Sequence, residues 1–100
     1  MPQPPVQRVT AAERHRIFNE GRFWERAQSG ELRTVTIKER HPSLAAANEP
    51  RCTYSEMISY LDQEGNEVAR VHQYKRPDGS MGASGRPDPK RLLSDGVIYI

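Results

Sequence analysis

The stretch that most constrains the fold is Tyr54 to Lys75. Tyr54–Leu61 and Glu67–Lys75 are both rich in Tyr, Ile and Val, and Asp62-Gln63-Glu64-Gly65-Asn66 lies between them. β-Branched and aromatic runs on either side of a short loop carrying Gly and Asn predict an antiparallel hairpin. Whatever else the chain does, it has to cover at least one face of that hairpin, because an isolated two-stranded ribbon is barely stable in water.

The cover is expected from the N-terminal side. Thr10-Ala11-Ala12-Glu13 has the form of a capping box, in which the threonine oxygen accepts from the backbone three residues on and the glutamate reaches back. A helix is predicted from there to about Gln28, with Ser29-Gly30 as its stop. Ile17, Gly21, Trp24 and Gln28 fall on one helical stripe flanked by Phe18 and Phe23, so the aromatics are read as core. Gly21 marks a kink or a close approach to a sheet. Residues 1–9 carry three prolines and read as an extended, flexible lead-in, with a single domain over 10–100.

Arg33–Lys38 alternates with β-branched residues and predicts a half-buried strand. Leu44–Ala47 is expected to wind one helical turn before Pro50. After the hairpin, Asp88-Pro89 looks like a helix start, since aspartate caps well and proline at the first helical position loses no hydrogen bond. That predicts a short helix over Lys90–Ser94, stopped by Asp95-Gly96, before a strand at Val97–Ile100. The expected architecture is α+β: one N-terminal helix on a mostly antiparallel sheet of about four strands, with a short helix before the C-terminal strand. The fragment Tyr60–Asn66 resembles one unit of the tyrosine-aspartate repeats of large secreted toxins. The resemblance covers one hairpin and implies nothing beyond it.

With 35% apolar and 28% charged residues, the chain is polar but too regularly patterned for a disordered one. A single cysteine, Cys52, excludes an internal disulfide, and the start MPQPPVQRV lacks the charged and apolar regions of a signal peptide. No apolar run reaches the roughly 20 residues of a membrane span. A cytoplasmic protein without membrane contact is expected. The three histidines have no ligand spacing with Cys52 or the acids, so neither a metal nor another cofactor is expected.

Function is expected in the loop that follows the hairpin. Thr53–Ala69 holds four acids and no Lys or Arg, whereas Arg70–Arg91 holds six bases against two acids. The net charge of +2 is thus unevenly spread, and a cluster of one sign favours an anionic partner. Gly79, Gly82 and Gly85 are spaced so that backbone N–H groups can converge on an anion, and the expected helix start at Asp88-Pro89 would add its dipole. Lys75, Arg76, Ser84, Arg86, Lys90 and Arg91 complete the candidate anion-binding set. The spacing matches neither the Walker nor the dinucleotide pattern.

His72 is the candidate catalytic residue. It shares a strand face with Arg70 and Tyr74 by period-two alternation, and an imidazole beside a guanidinium can move protons in metal-independent phosphodiester cleavage. Three expectations follow. The leading one is an anion- or nucleic-acid-binding module using loop 75–91. The second is a ribonuclease-like toxin using His72 and Arg70. The third is an interaction domain, such as an antitoxin, an inhibitor or a homodimeric subunit.

Overall fold

The computed structural model describes residues 3–40, 53–82 and 85–100. Among them the order is β1 (Val6–Gln7), α1 (Ala11–Glu20), α2 (Phe23–Ser29), β2 (Arg33–Arg40), β3 (Tyr54–Leu61), β4 (Glu67–Lys75), β5 (Asp88–Ser94) and β6 (Val97–Tyr99). The class is α+β, as expected. The strands form one sheet in the order β1-β6-β5-β4-β3-β2, antiparallel throughout except where β1 runs parallel to β6. The sheet therefore has six strands rather than about four.

The hairpin occupies the predicted residues. Ile58 pairs with Val71 and Tyr60 with Ala69. Its turn is closed by Asp62, whose amide donates to the Asn66 carbonyl at 2.9 Å. The Asp62 carboxylate accepts from the amides of Glu64 and Asn66. Gly65 takes a φ of 85°, open to a residue with no Cβ.

Two elements depart from expectation. The single helix is two. Thr10 caps α1 through a bond from the Glu13 amide to its hydroxyl at 3.1 Å, but Glu13 pairs with Arg16 rather than reaching back. Gly21 then ends α1, and Arg22 adopts a left-handed φ of 53°. That reversal drops the Phe23 ring across Gly21 and stacks it on Phe18, with centroids 5.9 Å apart. Burying both rings outweighs the continuity of one helix.

The short helix at Lys90–Ser94 is a strand. Leu92 lies between Ala69 and Tyr99 in neighbouring strands and is fully buried. A five-residue helix could not bury it as well, and isolated short helices are marginal. Pro89 is tolerated because the ladder to β4 is already interrupted there, its register shifting between Arg70 and Val71. The expected turn at Leu44–Ala47 lies outside the described residues.

The core is one cluster of Phe18, Phe23, Leu32, Ile58, Tyr60, Ala69, Val71 and Leu92. Both helices lie on the sheet face that carries Ile58, Tyr60, Ala69, Val71 and Leu92. The opposite face, bearing Ser55, Met57, Ser59, Arg70, His72 and Tyr74, has no described element over it. β2 is the sheet edge and is exposed along its length rather than half-buried, with Val35 40% and Ile37 47% exposed. β1 adds to the lead-in a short pairing of Val6 with Ile98 and Gln7 with Tyr99. No helix among the described residues is long and apolar enough to cross a membrane.

Candidate functional site

Alternation along β4 puts Arg70, His72 and Tyr74 together on the face opposite the helices. His72 is half-buried. Its Nε2 lies 2.8 Å from the Ser55 hydroxyl on β3, and its ring meets Tyr74 edge-on with centroids 4.8 Å apart. Burial, and then the charge of Lys90, lower the His72 pKa from its ordinary 6.5, while Asp88 pulls the other way. Burial and Lys90 thus disfavour the imidazolium form.

Beside it opens a shallow cleft of about 370 Å³ lined by His72, Gln73, Tyr74, Gly82, Arg86, Asp88 and Lys90. The candidate catalytic histidine and three of the candidate anion-binding positions thus share one concavity. Asp88 tempers the charge there. It bonds Lys90 at 2.7 Å and His15 of α1 at 3.0 Å. Burial pushes its carboxyl up, but the bond and charge of Lys90 and the proximity of His15 prevail and hold it below the usual range. The described residues contain no cluster of three or more His, Cys, Asp or Glu able to hold a metal ion.

The remaining candidates are dispersed. Arg70 and Arg91 face each other across β4 and β5 and share the Glu67 carboxylate, at 3.1 and 3.8 Å. Glu67 also accepts from buried Ser59. Arg86 reaches back to α2, bonding Glu25 at 2.8 Å and lying 4.5 Å over the Trp24 ring. Lys75 and Gly79 line a different pocket, against α2. Ser84 lies outside the described residues.

The first half of the loop is itself a tight hairpin. Lys75 bridges to Met81, and the Arg76 amide bonds the Ser80 carbonyl at 2.8 Å. The three glycine amides are all engaged: Gly79 donates to Arg76, Gly82 to Tyr74 and Gly85 to Gly82. The amides of all three glycines are thus taken by backbone carbonyls, and Asp88-Pro89 opens a strand in place of the expected helix.

Sequence reasoning overlooked Ser55, Asp88 as an ion-pair hub, and Glu56. The hairpin register holds the signal for the first, since Ser55 pairs with Tyr74 and Met57 with His72, leaving Ser55 diagonal to the imidazole. Compared with known proteins, the chain matches no family model, no curated protein and no solved structure.

Proposed function

We propose that the chain is a binding module for the phosphate backbone of single-stranded nucleic acid, held on the sheet face opposite the helices at the His72 cleft. The observation that supports this is the cleft in which Lys90 and Arg86 line the same wall as His72 and Tyr74, whose rings meet edge-on. Cations that track a backbone beside aromatic surfaces are how sequence-tolerant single-strand binders work. Compared with the expectation from sequence, the centre of the site moves from the glycine loop to the strands β4 and β5.

The test is fluorescence anisotropy of a labelled oligonucleotide over a salt series. Affinity should fall with salt at a logarithmic slope of roughly −0.7 per phosphate neutralised. Replacing Lys90 and Arg91 by Gln should flatten the slope. A slope near zero for the unaltered chain removes the reading.

A second reading rests on the bond between His72 and Ser55 and on the burial and charge that disfavour the imidazolium form. A neutral imidazole at this cleft can take the proton of a ribose 2′-hydroxyl as its oxygen attacks the adjacent phosphorus, while Lys90 answers the growing charge. The bond from phosphorus to the 5′-oxygen breaks, leaving a 2′,3′-cyclic phosphate and a 5′-hydroxyl that takes its proton from water. RNA cleavage abolished in His72→Ala with the fold intact supports this role. Equal cleavage by the two proteins, or cleavage of DNA lacking 2′-hydroxyls, excludes it.

A further inference from the structure

On the helix-covered side of the sheet, a second pocket of about 280 Å³ opens under α2. Its volume is just under the roughly 300–1,000 Å³ of typical small-molecule sites. Trp24 of α2 forms one wall, Tyr60 and Ile58 the floor, and Met81 of the loop hairpin the far side.

Glu56 also lines this pocket. Its side of β3 is the core side, and the residue is only 6% exposed. A carboxylate removed from water needs a cation or several donors. Among the described residues Glu56 has one donor, the Gln73 amide at 3.3 Å, and no ion pair. Its partner across the ladder to β2 is Glu39, a second carboxylate, which adds repulsion rather than relief. Lys75 lines the mouth but is exposed and makes no bond to Glu56. The Trp24 indole N–H is also buried with no acceptor among the described residues; as a donor it is answered by a lone pair and plays no part in holding a cation.

A pocket that holds a buried carboxylate with a single amide donor and no described cation beside it, between aromatic walls, selects for positive charge on an apolar body. Ring faces attract cations through their quadrupole, and Arg86 already rests on Trp24 in this way. We propose that this pocket takes a small organic cation, an amine or amidine carried on a flat apolar group, with Glu56 as its counter-charge and Gln73 orienting the carboxylate. The site adjoins the His72 cleft, sharing Gln73 and Tyr74 with it, and takes ligands of the opposite sign.

Trp24 is the chain's single tryptophan, so its indole ¹H–¹⁵N resonance and its fluorescence report on this wall alone. Benzamidine is the probe, titrated against the unaltered chain, with the neutral isostere benzamide beside it. Benzamidine should move the indole resonance saturably, and benzamide should bind at least about tenfold more weakly, the scale of one charge-assisted contact. Glu56→Gln should reduce benzamidine affinity by a similar factor. Equal affinity for the two probes, no saturable shift with benzamidine, or full affinity in Glu56→Gln overturns the proposal. If Glu56→Gln does not fold, the comparison of the two probes on the unaltered chain decides alone.

Discussion

A methyl group at position 21 would stand 2.5 Å from Cε2 of Phe23 and 3.2 Å from the Ile17 carbonyl. The backbone there is ordinary right-handed helix, so space rather than conformation demands glycine. Gly21→Ala should gain about 0.4–1 kcal/mol by restricting the unfolded chain yet lose about 1–3 kcal/mol to overpacking. Urea denaturation should show net destabilisation, and the loss should shrink in a Phe23→Leu background, because the two residues are in direct contact. The sequence singled out Gly21 as a kink or a close approach to a sheet; the helix does break there, but the close neighbour is the Phe23 ring and not a strand. What it did not show is that Arg22 would take the left-handed turn, since arginine carries no local preference for it.

His72 also makes a prediction at this scale. Its folded pKa lies below the 6.5 of the free side chain, so below pH 6.5 the unfolded chain binds the proton first. The contribution of His72 is therefore fully present above pH 6.5 and is lost as the pH falls through the folded value. Thermal melts should show stability dropping in that acid window, and His72→Gln should flatten the drop. A drop unchanged in the variant would assign it to other groups. Period-two alternation was enough to place Arg70, His72 and Tyr74 on one face. The Ser55 contact needed the hairpin register, and the Lys90 and Asp88 charges needed β5 to be a strand.

At the scale of elements, local signals succeeded where the deciding residues are neighbours in sequence. Asp62 closes its turn with bonds reaching only two and four residues on, and Thr10 caps α1 three residues away. β5 failed because Asp-Pro is a good local helix start, while the force that makes the segment a strand comes from β4 and β6 on either side. The same force makes the outcome testable. Leu92→Ala, at the centre of β5, should cost about 2–5 kcal/mol in denaturant titration, a loss that an exposed short helix could not produce. β2 was legible as a strand but not as an edge, because alternation does not say how many neighbours a strand has. Its exposed Val35 and Ile37 are accompanied by Arg33, Lys38 and Glu39 and by a break in register between Thr36 and Lys38. Charge and irregularity of this kind discourage edge-to-edge pairing.

For the whole molecule, placing both helices on one face divides the sheet into two chemical surfaces. The covered face supplies the core and the Glu56 pocket, and the other supplies the basic cleft. The sequence carried the charge asymmetry along the chain but not its distribution in space. Glu67, Asp88 and Glu25, distant from one another in sequence, each draw one or two of the loop's bases to a different place. The same topology sends β1 beside β6, where the Ile98 amide donates to Pro5 at 2.9 Å and the Ile100 amide to Gln7 at 3.0 Å. Removing residues 1–7 should speed hydrogen exchange at Ile98 and Ile100 while leaving the Val71 amide protected, and equal loss at all three would mean that the sheet opens as one unit. Because β1 precedes every other strand of the sheet and, among the described residues, pairs only with β6, Val6 and Gln7 leave the ribosome with nothing to zip onto. The seam can form only after the four described strands between β1 and β6 have been made, and until then β1 is a bare ribbon end.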